Sequence, residues 1–293
     1  MFKGSMVAVV TPFFPDGRFD EESFRRLVEF QIENGTDGIA PCGSTGEAAT
    51  LDHEGHNRVI KACVEQVNKR IPVLAGTGSN STSEAIELSQ AAKRAGADGL
   101  LLISPYYNKP SQEGLYQHFK ALADNIDLPQ VLYNVPGRTG INMTVETTVR
   151  LAEFANVVAL KDASGNVSQA AEILARADGK IDILSGDDSL TLPFMAIGAK
   201  GVISVTANIM PAEVKALLTA VGENRWDDAR QIHYSLLDIN NAMFIESNPV
   251  PVKTALELMG KCNGHPRLPL VPMQPENLAA LRRVLVNYGL VAA

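Results

Sequence analysis

The feature that most constrains this chain is a repeated junction. A helix-like stretch stops at glycine, two or three residues follow, and a short apolar run begins. The junction occurs as Asn34-Gly35-Thr36-Asp37-Gly38-Ile39, Ala95-Gly96-Ala97-Asp98-Gly99-Leu100 and Ile197-Gly198-Ala199-Lys200-Gly201-Val202. Glycine ends a helix without a Cβ clash, and an unbroken apolar run suits a parallel strand covered on both faces. Eight such runs stand at residues 6–10, 38–41, 73–75, 99–103, 130–133, 157–160, 183–185 and 201–205. Amphipathic stretches separate them, at 21–33, 54–68, 82–95, 112–125, 145–155, 167–177, 189–197 and 211–221. In the first of these Phe24, Leu27, Val28 and Gln31 share a face. This alternation predicts parallel βαβ units with right-handed crossovers. Eight units in about 220 residues fit a closed α/β barrel, a (β/α)8 TIM barrel, better than an open doubly wound sheet.

The expected division is a barrel over residues 1–223 and a C-terminal helical extension over 224–293, packed on the barrel. The extension reads as helices at 227–245, 251–259 and 275–286, with a proline-rich extended segment at 263–273. Hydrophobic residues at 45% and charged residues at 20% supply a large core and exclude a disordered chain. The net charge is −7 with Lys and Arg scattered, so no basic stripe for nucleic acid is present. Cys42, Cys63 and Cys262 are three and widely spaced, which argues against a disulfide framework and a zinc cluster. No apolar run reaches the ~20 residues of a membrane helix. Residues 1–10, soon interrupted by Pro12, are too short for a signal peptide. The expected location is therefore cytoplasmic, with no membrane partner.

Barrel active sites lie at the C-terminal strand ends. There stand Gly43-Ser44-Thr45-Gly46-Glu47, Tyr106-Tyr107, Tyr133-Asn134-Val135-Pro136-Gly137-Arg138-Thr139, Lys161-Asp162-Ala163-Ser164-Gly165 and Gly186-Asp187-Asp188. Lys161 follows an apolar strand without a break, so its stem should begin inside the barrel. Desolvation there lowers an amine pKa, and a neutral amine can attack a carbonyl to form an imine. Bringing that pKa from ~10.4 to ~7 costs roughly 4–5 kcal/mol. The bland alternative is a lysine paired with Asp162 or Asp187. Tyr133 can carry a proton at the same cavity, or can be a core aromatic with a satisfied hydroxyl. Ser44 and Thr45 offer backbone N–H groups and hydroxyls to an anion, or form an ordinary turn. Arg138 is a bidentate clamp for a carboxylate, or a solvated loop arginine. His53 and His56 lack an evident third metal ligand, so no metal is expected. Lys200 precedes its strand and belongs to the far face.

The three motifs around Ser44-Thr45, Tyr133-Arg138 and Lys161 together resemble those of the dihydrodipicolinate synthase / N-acetylneuraminate lyase family, and the resemblance runs over essentially the whole chain. Arg138, Ser185-Gly186-Asp187-Asp188 and Glu246-Ser247-Asn248-Pro249-Val250-Pro251-Val252-Lys253 resemble the dihydrodipicolinate synthase branch. Ser44 departs from it, since threonine is common there. The resemblance implies condensation of pyruvate with L-aspartate 4-semialdehyde through a Schiff base on Lys161, giving 4-hydroxy-tetrahydrodipicolinate on the diaminopimelate route to L-lysine. It implies proton relay by Tyr133, Thr45, Ser44 and Tyr107, with Tyr107 reaching into a neighbouring subunit of a homotetramer built as a dimer of dimers. It implies substrate contacts from Ser44, Thr45, Arg138, Gly186 and Ile203, and no metal or organic cofactor. It also implies an L-lysine effector site at Ala49, His53, His56, Asn80, Glu84 and Tyr106. Two other readings stay open: another pyruvate-type lyase, acting on N-acetylneuraminate or a keto-deoxy sugar acid, and a non-catalytic barrel that binds a small molecule. The first differs in what Arg138 contacts, and the second binds without an imine.

Overall fold

The computed structural model describes residues 2–292; Met1 and Ala293, the outer bounds of the expected division, lie outside them. Its strands are β1 (Gly4–Ala8), β2 (Gly38–Ala40), β3 (Leu74–Gly76), β4 (Gly99–Ile103), β5 (Gln130–Asn134), β6 (Val157–Asp162), β7 (Asp182–Ser185) and β8 (Gly201–Ser204). They run in the order β2-β1-β8-β7-β6-β5-β4-β3, with parallel pairing throughout. A parallel bridge between Ile39 and Val73 joins the two ends of the row and closes the barrel. The fold is thus the (β/α)8 TIM barrel read from the alternation.

The surrounding helices are α1 (Glu21–Glu33), α2 (His53–Val67), α3 (Thr82–Ala95), α4 (Gln112–Asn125), α5 (Pro136–Thr139), α6 (Val145–Leu151), α7 (Val167–Arg176), α8 (Thr191–Ala196) and α9 (Pro211–Gly222). The tail supplies α10 (Trp226–Ala242), α11 (Val250–Leu258) and α12 (Pro275–Asn287). The recurring junction has a structural cause. Gly35, Gly96 and Gly198 take φ of +80°, +93° and +104°. Asp37 and Asp98 then turn back, and their carboxylates accept the N–H of Ser5 and Val73, each at 2.8 Å. In α1, Asp20 caps the N-terminus through the N–H of Ser23, and Phe24, Leu27, Val28 and Gln31 are buried as their spacing predicts.

The tail helix expected over 227–245 ends at Ala242, and two predicted barrel helices are shorter than expected. The one expected over 145–155 ends at Leu151, and Asn156 fixes the following turn by donating to the carbonyls of Ala123 and Ile126. The one expected over 189–197 splits into a 3₁₀ turn, Asp188–Leu190, and α8. Pro193 lacks the N–H that would continue the α pattern back to Ser189.

Strand side chains alternate between two layers. Val7, Leu100, Leu102, Leu132, Leu160 and Val202 face the helices. Met6, Ala8, Leu101, Val131, Tyr133, Ala159, Leu184 and Ile203 fill the barrel interior. The tail is not detached: Leu236, Ile239, Leu256, Leu281 and Leu285 share one apolar cluster with Val10, Leu27, Val205 and Ile209. Among the described residues, no helix is long and apolar enough to cross a membrane.

Candidate active site

β6 continues through Lys161 and Asp162 rather than ending at Leu160. Because Ala159 faces inward and Leu160 outward, the period of two turns Lys161 into the barrel. Lys161 is in register with Tyr133 of β5, so the two side chains rise from neighbouring strands at one height. The Lys161 amine sits 4.3 Å from the centre of the Tyr133 ring, and both residues are buried.

The carboxylates that could have neutralised Lys161 form no ion pair with it, although Asp162 Oδ2 is buried without a partner. Asp162 accepts from the Ser164 N–H at 2.7 Å, and Asp187 from the N–H and hydroxyl of Ser189. Burial lowers the Lys161 pKa from 10.5 to about 8; Asp188 opposes the shift and the positive charge of Arg138 adds to it. Asp188 is itself buried, held by the Ser204 hydroxyl and the N–H groups of Val205 and Thr206. Burial pushes the Tyr133 phenol up, while Arg138 and Ser44 pull it partly back.

A cavity of about 160 Å³ opens over this amine, lined among others by Gly43, Ser44, Thr45, Tyr133, Arg138, Lys161, Gly186, Phe244 and Asn248. Gly186 fits because nothing larger would: a Cβ there would stand 3.1 Å from Lys161 Cε and 2.8 Å from Ala163 Cβ. The 43–47 loop is a tight turn in which Gly46 and Glu47 N–H return to the carbonyls of Gly43 and Ser44. Cys42 just before it and Glu47 at its end take φ of +55° and +54°, an unusual conformation for residues with a Cβ. Among the described residues, no backbone carbonyl takes up the N–H of Ser44 or Thr45. Those donors can meet a carboxylate.

The tail clasps this loop. Asn248 Nδ2 donates to Thr45 Oγ1 at 3.0 Å, and Arg138 Nη2 donates to the Asn248 carbonyl at 3.0 Å. Lys253 and Glu47 form a fully buried ion pair at 2.5 Å. Lys253 also donates to the His265 carbonyl, and the Arg267 N–H reaches the second Glu47 oxygen. Burial lowers the Lys253 pKa, with Glu47 opposing. Asn248, Lys253 and Phe244 received no role in the sequence reading. The motif that holds Asn248 and Lys253 was visible, but pairings across 203 and 206 residues leave no local trace.

Other expected residues take separate places. Ile203 is fully buried in the interior layer and does not line the small cavity. Tyr107 is 89% exposed, with φ +71°, and touches neither cavity. A second cavity of about 460 Å³ is lined by Ala49, His53, His56, Glu84 and Tyr106. Asn80 stands beside it and donates to the Tyr106 carbonyl at 3.1 Å. The Glu84 carboxylate is shared by the Ser79 hydroxyl and His53 Nε2, and these two, in that order, lower its pKa. The two cavities share Gly43, Ser44, Leu101, Tyr133, Arg138 and Asn248 as a common wall. Among the described residues, no three or more His, Cys, Asp or Glu side chains are grouped to hold a metal ion. Burial raises the Cys42 thiol well above its ordinary range, the opposite of the shift that activates a thiol.

These features have known counterparts. The model of the family described as "Dihydrodipicolinate synthetase family" matches residues 1–287. The 4-hydroxy-tetrahydrodipicolinate synthase of Syntrophotalea carbinolica is 68% identical over 293 residues, all of both chains. A chloride-inhibited dihydrodipicolinate synthase from Acinetobacter baumannii, crystallised with pyruvate, superposes with a TM-score of 0.97 at 47% identity, covering 99% of this chain and 100% of its own. DHDPS from Cyanidioschyzon merolae with lysine bound superposes with a TM-score of 0.96 at 40% identity, covering 99% of both chains. With its barrel closed around a buried lysine and its whole length matched, the chain belongs to the dihydrodipicolinate synthetase family.

Proposed function

We propose that the chain condenses pyruvate with L-aspartate 4-semialdehyde to give 4-hydroxy-tetrahydrodipicolinate, through an imine on Lys161. The observation that carries this reading is a buried lysine, pushed down to about 8, facing a cavity lined by hydroxyls and an arginine. The Lys161 amine adds to the pyruvate ketone, and loss of water leaves a protonated imine. Its positive charge draws electrons from the methyl C–H bond, so a proton leaves and an enamine forms. The unpartnered N–H groups and hydroxyls of Ser44 and Thr45 hold the pyruvate carboxylate. The enamine carbon attacks the aldehyde carbon of the second substrate, whose oxygen takes a proton, while Arg138 binds its carboxylate. The substrate amine then adds to the imine carbon and displaces Lys161, closing the ring. Tyr133 and Thr45 relay the protons, with Gly186 leaving space for the lysine stem.

Exposed Tyr107 supports the reading that a neighbouring subunit receives it, in a homotetramer built as a dimer of dimers. The larger cavity is proposed as an L-lysine effector site, with Glu84 facing the ammonium group and Asn80 the α-carboxylate. The lysine-bound relative supports this. The 224–293 segment acts as part of the catalytic unit, because its clasp on the 43–47 loop fixes the carboxylate site.

Reduction with borohydride in the presence of pyruvate tests the central step. A pyruvate-sized mass on Lys161, absent in Lys161→Ala, is expected. A protein that binds pyruvate but traps nothing would be a binding barrel instead. Trapping with turnover of N-acetylneuraminate and none with aspartate semialdehyde would assign the other lyase activity.

A further inference from the structure

Asn248 is 6% exposed and stands in the wall common to both cavities. It comes from the tail, between α10 and α11, 203 residues from the hydroxyl it touches. Its Nδ2 donates to Thr45 Oγ1 at 3.0 Å, and its carbonyl accepts from Arg138 at 3.0 Å. A threonine hydroxyl has one hydrogen and two acceptor lone pairs. With a lone pair committed to an amide N–H, the hydroxyl no longer rotates freely. Its hydrogen must point away from Nδ2, which accepts nothing. Of the three staggered positions two remain for the hydrogen, so Thr45 Oγ1 becomes a donor of restricted direction in the cavity wall. The Asn248 Oδ1, meanwhile, is buried without a partner. An apolar side chain would fill the same space without an unmet acceptor, so packing alone does not account for an amide here.

We infer that Asn248 is a positioning residue for the condensation and acts through Thr45 by restricting the direction of its hydroxyl proton. The inference rests on the reaction proposed above. It differs from a packing role in one measurable respect: its effect depends on the Thr45 hydroxyl being present.

A double-mutant cycle on the full chain reads this directly. In the parent background, Asn248→Ala should lower kcat by roughly 10- to 100-fold, part of the roughly 10²- to 10⁴-fold that a positioned proton-transfer group contributes. The KM for pyruvate should change less than about threefold. In a Thr45→Val background, which keeps the shape and removes the hydroxyl, Asn248→Ala should lower kcat less than about threefold, since its partner is already gone. Asn248→Asp, which keeps the fork and removes the donor, should repeat the pattern. Equal losses in both backgrounds would overturn the inference, as would no loss in the parent. Loss of folding in both Asn248 variants, read by circular dichroism, would make the residue structural and overturn it as well. Borohydride trapping of pyruvate by the unsubstituted protein keeps the two claims apart. If it traps nothing, the reaction fails and the inference with it; if it traps and turns over while the cycle is additive, only the inference fails.

Discussion

At the scale of one residue, Lys161 couples stability to chemistry. Its pKa falls from 10.5 to about 8 because burial disfavours the charged amine. At 1.36 kcal/mol per decade, that difference is about 3 kcal/mol. The sign follows from linkage: the folded pKa lies below the unfolded one, so the cost is present in full below about pH 8 and vanishes above 10.5. Lys161→Met should therefore abolish trapping and raise Tm by several degrees at pH 7, the opposite of an ordinary core substitution. The same pKa sets the rate. In the proposed mechanism the neutral amine is the nucleophile, so the rate of trapping should rise about tenfold per pH unit below pH 8 and level off above it. A flat profile from pH 6 to 9, measured by quenched mass spectrometry, would mean that the amine is neutral for another reason.

At the scale of elements, the decisive contact is between the 43–47 loop and α11. The Glu47–Lys253 pair is fully buried, and each charge has further partners. Removing one partner of such a pair leaves the other unmatched, at about 3–5 kcal/mol. Lys253→Met should lower stability by that amount in urea unfolding, and Glu47→Leu with Lys253→Met should recover most of it. If the double variant is as unstable as the single one, the pair is not the source. The double variant should still lose activity, because the loop that carries Ser44 and Thr45 is no longer tethered at Glu47. This scale also marks where the sequence was legible. The strands around 99–103 and 130–133, and α1, α3 and α4, are local patterns of period two or 3.6 and were readable. Lys161 was readable because it sits at the end of an apolar strand. The split at Pro193 is a backbone donor effect that hydrophobic spacing does not report. Asn248 and Lys253 act across more than 200 residues, so a local motif could be recognised without revealing its contact.

At the scale of the whole molecule, the two cavities lie on either side of a shared wall. Ser44, Tyr133, Arg138 and Asn248 line both, so a molecule in the larger space presses on the residues that serve the smaller. This gives the proposed L-lysine site a physical route to the proposed chemistry, through side chains that line both cavities. His53 qualifies the route. It pairs with Glu84 at 2.9 Å, and that bond is the main cause of its raised pKa. A protonated His53 therefore competes with a ligand ammonium group for the same carboxylate. Binding of L-lysine should weaken as pH falls through the His53 pKa, which lies above the usual 6.5. Isothermal titration should show tighter binding at pH 8.5 than at pH 6, and His53→Ala should flatten the difference. Glu84→Gln should weaken binding at least about tenfold at either pH, as loss of a charged hydrogen bond does. No heat at millimolar L-lysine would remove the effector site. Binding that tightens at low pH would keep the site but place the ligand ammonium away from Glu84.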